Sequence, residues 1–207
     1  MSAQPGLFIA FEGGDGAGKS TQVRLLADAV VLAGREVVIT RQPGGTPLGQ
    51  SLRELVLHGD HMSARAEALL FAADKADHVE QVIRPALRVG SVVITDRYVD
   101  SSVAYQGAGR DLGADEVQRL QTWAVDGLLP DLTVIVDISA DEGRRRRGEV
   151  HDRMESEGDD FHEAIRSHFL AMAAAEPERY LVVDGTASVE EIAEQIADRV
   201  RELGIDL

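Results

Sequence analysis

The apolar run 7–11, LFIAF, leads within two residues into Gly13-Gly14-Asp15-Gly16-Ala17-Gly18-Lys19-Ser20, followed by Thr21. This G-x-x-x-x-G-K-[ST] spacing, set between an extended apolar run and a helical stretch over 18–33, constrains the fold more than any other feature of the chain. Glycines let successive backbone N–H groups wrap a polyphosphate without Cβ clashes, and the N-terminus of the following helix adds positive potential. In such a loop Lys19 reaches the β and γ phosphates of a nucleoside triphosphate, and the Ser20 hydroxyl binds the accompanying Mg²⁺.

Further short apolar runs rich in Val and Ile stand at 37–39, 92–94, 132–138 and 181–183, each too short for a helix, with long helix-spaced stretches between them. Strands alternating with helices predict an α/β domain built on a five-stranded, mostly parallel sheet with helices on both faces. Over 64–87, Leu69, Ala72, Ala73, Ala76, Val79 and Ile83 recur at three- and four-residue steps, which predicts a long amphipathic helix with that stripe inward. Phe71, Lys75 and His78 fall on another face. A stripe of Val189, Ile192, Ala193, Ile196 and Val200 predicts a closing helix over 188–203, with Ser188 and Glu191 fitting a capping box.

The formal charge of −15 argues against binding nucleic acid or an anionic membrane, so any phosphate chemistry needs locally gathered arginines. There is no cysteine for a disulfide or zinc site, and neither the opening MSAQPG nor any later stretch resembles a leader or a membrane span. A soluble cytoplasmic protein is expected. His58 and His61 have H-x-x-H spacing but no further ligand nearby, so no metal site is read there. No interdomain linker stands out. The expectation is one domain, 1–207, with a mobile lid at about 142–158, where EGRRRRGEVHDRMESEGDD spans 142–160 almost without apolar residues.

GTPases, motor ATPases and small-molecule kinases share the glycine loop. No N-K-x-D guanine-reading motif follows a later strand, whereas the run 92–94 ends in Asp96-Arg97-Tyr98, at the strand end where open α/β sheets bind ligands. Asp96 there can support Mg²⁺ through water, and Arg97 can clamp a phosphate with two hydrogen bonds.

Three stretches, FEGGDGAGKST, RQPGGTPLGQSLR at 41–53 and DRYVDSSVAYQGAGR at 96–110, together with DRMESE at 152–157, resemble the thymidylate kinases. The likeness extends over nearly the whole chain. It implies a P-loop nucleoside monophosphate kinase fold, usually homodimeric, that passes the γ-phosphoryl of ATP to dTMP. It also implies that Asp15 accepts from the sugar 3′-hydroxyl, that Arg53 and Arg97 hold the dTMP phosphate, and that Phe71 stacks on thymine. By the same resemblance Tyr105 crowds the sugar 2′ position, and Ser101 and Gln106 lie near the base. Lys75 stands where the family commonly has an arginine that reads the thymine O4.

The dTMP phosphate is already largely deprotonated at neutral pH, so catalysis rests on positioning and on cations rather than on a general base. With Gly16 in the loop instead of an arginine, the chain resembles members that carry the cation in the lid, and Arg147 and Arg153 are the expected catalytic arginines alongside Lys19 and Arg97. The rival readings are another nucleoside or nucleotide kinase with a different base, or an ATP-driven switch protein.

Overall fold

The computed structural model describes residues 5–146, 153–154 and 157–207. Five strands, β1 (Leu7–Glu12), β2 (Val37–Arg41), β3 (Val92–Asp96), β4 (Leu132–Asp137) and β5 (Tyr180–Asp184), form one sheet in the order β2-β3-β1-β4-β5. Every neighbouring pair is parallel. All five expected strands are present.

The three central strands are buried on both sides, which is why they read as continuous apolar runs rather than alternating ones, while the edge strands β2 and β5 are partly exposed. Leu7, Ile9 and Phe11 of β1 face a layer made by α1 (Lys19–Leu32) and the closing helix α9 (Val189–Glu202), where they meet Val23, Leu26, Ile192 and Ile196. Phe8 and Ala10 point the other way, toward Val79, Ile83, Val99 and Val103. The Ser188–Glu191 capping box starts α9 as expected, with both reciprocal hydrogen bonds made.

The second face is built from α2 (Pro47–His58), α3 (Ala64–His78), α4 (Arg84–Arg88), α5 (Val99–Ser102), α6 (Ala114–Ala124) and α8 (Asp159–Ala175). The helix expected over 64–87 runs through 64–88, but a π-type turn at Val79–Ile83 joins α3 to α4. A second π-type turn, Val103–Gly109, continues α5. The short α7 (Ala140–Arg146) leads out of β4.

One expectation about α3 is corrected. Ala72, Val79 and Ile83 are buried as predicted, but Leu69 is 57% exposed and Ala73 and Ala76 also face outward. The inward face of α3 instead carries Glu67, Asp74, Lys75 and His78, all buried. Periodicity favours the apolar stripe as the core, yet these polar groups find partners inside. Asp74 Oδ1 accepts from the Gly44 N–H at 3.1 Å, and His78 Nε2 lies 2.6 Å from the Thr40 hydroxyl. Beside them, Thr46 donates to Asp77 at 2.6 Å. These bonds offset part of the desolvation cost and tie α3 to β2 and to the loop between β2 and α2, although Asp74 Oδ2 and His78 Nδ1 have no hydrogen-bond partner among the described residues.

Candidate active site

The central strand β1 delivers the glycine loop and β3 delivers Asp96-Arg97, so the two functional turns are adjacent by sheet order. Gly13 adopts φ 126°, and a Cβ there would lie 2.4 Å from the Val136 carbonyl; Gly18 caps α1 at φ 99°. Glycine is needed at both positions. Lys19 Nζ donates to the Gly13 and Gly14 carbonyls at 3.1 and 2.8 Å, which keeps the ammonium inside the loop. Burial, with Arg97 nearby, draws the Lys19 pKa down. The Ser20 hydroxyl donates to Asp96 Oδ2 at 3.0 Å, so a hydroxyl and a carboxylate meet at the mouth of the loop. Ser20, Thr21, Gly16, Gly18, Lys19 and Asp96 line one open cleft with Arg53 and Arg97, joined by Arg41 and Gln42.

Arg97 sits at φ 68°, a left-handed conformation that costs a non-glycine residue ~1 kcal/mol or more. A buried carboxylate holds it there. Glu12, the last residue of β1, accepts the Tyr98 and Ser101 backbone N–H groups at 2.8 and 3.1 Å and the Ser101 hydroxyl. It thereby satisfies donors at the N-terminus of α5 that no intrahelical carbonyl can reach. Burial, reinforced by Asp100, raises the Glu12 pKa to about 7. The Arg97 guanidinium then reaches Ser101 Oγ at 2.9 Å, Asp15 Oδ1 at 2.6 Å and the Tyr105 hydroxyl at 3.1 Å. Burial works to raise the Asp15 pKa, but Arg97 and Lys19 together hold that carboxyl below the usual range. Asp15 also accepts from Tyr105 at 3.1 Å, closing a three-membered polar ring between the loop and α5.

A neighbouring cavity of about 140 Å³ gathers Asp15, Arg53, Phe71, Lys75, Arg97, Ser101, Tyr105 and Gln106, every residue assigned to the acceptor from sequence. Arg53 donates to the Pro43 carbonyl at 3.0 Å, and a Cβ on Gly44 would crowd its Cδ at 3.1 Å, so the QPGG loop aims this side chain. The Lys75 ammonium, 1% exposed, donates to Ser102 Oγ at 2.7 Å and stands 5.4 Å from the Phe71 ring centre. Burial lowers its pKa to about 8. The Ser101 hydroxyl lies between Glu12 and Arg97, so its hydrogen bonds are spent on orienting Arg97.

Of the two expected lid arginines, Arg147 lies outside the described residues. Arg153 does not face the phosphate cleft. Its guanidinium donates twice to the Val56 carbonyl, at 3.0 and 2.8 Å, and pairs with Glu67 at 2.6 Å, while Met154 beside it walls the acceptor cavity. Arg144 pairs with Asp141 and Asp159, and Arg145 and Arg146 pair with Glu142. Gly143 brings α7 onto the glycine loop, since a Cβ there would lie 2.8 Å from the Asp15 carbonyl.

Sequence reasoning missed Glu12, Gln42, Glu67 and Arg110. Gln42 is 3% exposed, and neither of its amide atoms has a hydrogen-bond partner among the described residues, although it lines both the cleft and the cavity. Glu12 had a signal available, an acid closing an otherwise apolar strand. Among the described residues no cluster of three or more His, Asp or Glu side chains could hold a metal ion, and none of the helices is long and apolar enough to cross a membrane.

A glycine phosphate loop joined by a shared polar ring to a neighbouring cavity lined by Arg53 and Arg97 is the arrangement of a P-loop phosphotransferase. The family model for thymidylate kinase matches residues 11–196. The chain is 56% identical over 202 residues to the thymidylate kinase of Leifsonia xyli subsp. xyli, covering 95% of both chains. It is equally similar to that of Clavibacter michiganensis subsp. michiganensis, with 96% of each covered, and 53% identical over 197 residues to that of Cutibacterium acnes, with 94% of this chain and 96% of the relative covered. The chain belongs to the thymidylate kinase family.

The raised Glu12 pKa generates a test. Between its unfolded value of 4.5 and about 7 the native state binds the extra proton, so this contribution to stability is present below pH 4.5 and lost as pH rises through 7. Urea unfolding of wild type and Glu12→Gln from pH 5 to 8 should show the wild type losing stability relative to the variant by ~1–3 kcal/mol. A pH-independent difference would contradict the assignment.

Proposed function

We infer that this chain transfers the γ-phosphoryl group of ATP to dTMP, giving ADP and dTDP, and so serves dTTP synthesis. The observation that carries the reading is the ring joining Asp15, Arg97 and Tyr105, because it places an acceptor cavity directly against the phosphate loop. The glycine loop and Lys19 hold the triphosphate. Arg53 and Arg97 hold the acceptor phosphate, Asp15 the sugar 3′-hydroxyl, and the Tyr105 ring excludes a 2′-hydroxyl. Phe71 offers a face to thymine, and Lys75 keeps a donor for its O4.

The Ser20–Asp96 pair supplies only oxygens, the donor type Mg²⁺ takes, and too few of them for a site independent of substrate phosphates. When bound, the metal neutralises charge on the β and γ oxygens. The protein's own contribution is alignment and a second source of positive charge. The acceptor phosphate oxygen forms the new P–O bond while the bond to the β-phosphate oxygen breaks, and ADP leaves with that electron pair.

An assay of ATP with dTMP, dUMP, dCMP and thymidine tests the reaction. Turnover should be fastest with dTMP and only modestly slower with dUMP, since one methyl group contributes ~1–3 kcal/mol. Lys19→Ala should remove nearly all turnover at saturating ATP. No turnover of any acceptor by the wild type would leave an ATP-driven switch as the better reading.

The segment 142–158 acts as a lid whose arginine run, 144–147, brings the cation that Gly16 does not. The pairs of Arg144, Arg145 and Arg146 are exposed, and such pairs exchange at little cost. Arg153 remains a candidate for the same work, but its ties to the Val56 carbonyl and Glu67, next to Met154 of the acceptor wall, favour a part in dTMP binding. Arg147→Ala is therefore expected to reduce kcat with KM little changed, and Arg153→Ala to raise the dTMP KM more than it lowers kcat. Steady-state kinetics in both substrates separates the two.

The chain works in the cytoplasm, as a homodimer, without nucleic acid or membrane partners. Leu69 on α3 and Trp123 on α6, 57% and 81% exposed, belong to helices that pack on each other through Gln121 and the Ala68 carbonyl. They form the face for a second copy. Light scattering should give a dimer mass for the wild type and a monomer mass for Leu69→Glu combined with Trp123→Ala.

A further inference from the structure

Glu67 is 1% exposed in the first turn of α3, and three other parts of the chain converge on it. Arg153 pairs with Oε2 at 2.6 Å and Arg110 stands 3.5 Å from Oε1. Oε1 also accepts from Gln106 Nε2 at 2.8 Å. A carboxylate facing two guanidinium groups presents only acceptor oxygens, so the side-chain amide of Gln106 must turn its NH₂ group to Glu67. The amide can meet that demand in one orientation only. Its oxygen is then fixed on the other side, where Gln106 lines the acceptor cavity and no group among the described residues donates to Oε1.

We propose that Glu67 is a positioning residue for acceptor specificity: by accepting from the Gln106 NH₂ it locks the Gln106 carbonyl oxygen toward the cavity, where it accepts a hydrogen bond from the ring N–H of an imide base. The proposal deepens the assignment of dTMP as acceptor and rests on it. Thymine and uracil carry a donor at N3, whereas the neutral cytosine ring offers an acceptor there. A free glutamine could turn its amide to suit either. With Glu67 in place the turn would set the amide oxygen against the carboxylate, two acceptors face to face, a mismatch that buried polar groups do not tolerate. Arg110 and Arg153 hold the carboxylate itself in place, and Arg110 is in turn anchored by Glu157 and by the Phe161 ring 5.1 Å away.

The test uses the full-length protein with dTMP and 5-methyl-dCMP, which keeps O2 and the methyl group and presents an acceptor at N3 in place of the N–H, with an amino group at C4. The wild type should prefer dTMP by roughly tenfold or more in kcat/KM. E67Q, which can present a donor or an acceptor to Gln106, should shrink that ratio toward unity with the ATP KM little changed, while loss of the buried charge facing Arg110 and Arg153 lowers the melting temperature. Q106L should shrink it equally, and the double variant should show no further loss, because Glu67 acts through Gln106. E67D keeps acceptor-only oxygens and should retain the ratio, which also serves if E67Q does not fold. A ratio unmoved in E67Q, losses that multiply in the double variant, or an E67D ratio as low as that of Q106L would overturn the role of Glu67. A wild type inactive on dTMP would overturn the assignment of the reaction instead.

Discussion

The whole site hangs on a carboxylate placed where a parallel sheet would otherwise bury only hydrocarbon. Glu12 closes the central strand, and its two oxygens gather the backbone of Tyr98 and Ser101 and the Ser101 hydroxyl. That cap fixes the left-handed turn at Arg97, and the residue after Glu12 begins the phosphate loop. Donor and acceptor sites are therefore set by one side chain, with no intervening loop to accumulate error. Desolvating the carboxylate is unfavourable, as its raised pKa records, and three hydrogen bonds offset part of that cost.

From this anchor the acceptor cavity is assembled by polar contacts rather than by apolar packing. The inward face of α3 uses Asp74 to hold the loop before α2 and His78 to hold the end of β2, and that loop in turn aims Arg53. Lys75 and Glu67 on the same face meet the turn Val103–Gly109 through Ser102 and Gln106. A helix with so many buried charges stabilises the fold less than an apolar one would. In exchange it fixes where each hydrogen-bonding atom stands.

The strands, the phosphate loop and the capping box of α9 were legible because each is a local pattern with a local cause: apolar runs buried on two faces, glycines forced by positive φ, a serine and a glutamate three residues apart. The inward face of α3 was not. Hydrophobic spacing marks Leu69, Ala73 and Ala76 as the buried stripe, and only the tertiary partners of Glu67, Asp74 and His78 reverse that choice. The surroundings of Arg153 were not legible for a related reason. Its charge and its neighbours in sequence suggest phosphate, but the carbonyl of Val56 and the carboxylate of Glu67, 97 and 86 residues away in the chain, capture it first. Long-range capture of this kind leaves no trace in spacing.

Gly143 carries a consequence of a mechanical sort. Where α7 meets the phosphate loop, only a hydrogen atom separates its backbone from the Asp15 carbonyl. The two backbones meet directly there, with the Ile138 side chain beside them, so α7 cannot move toward the loop unless the loop moves with it.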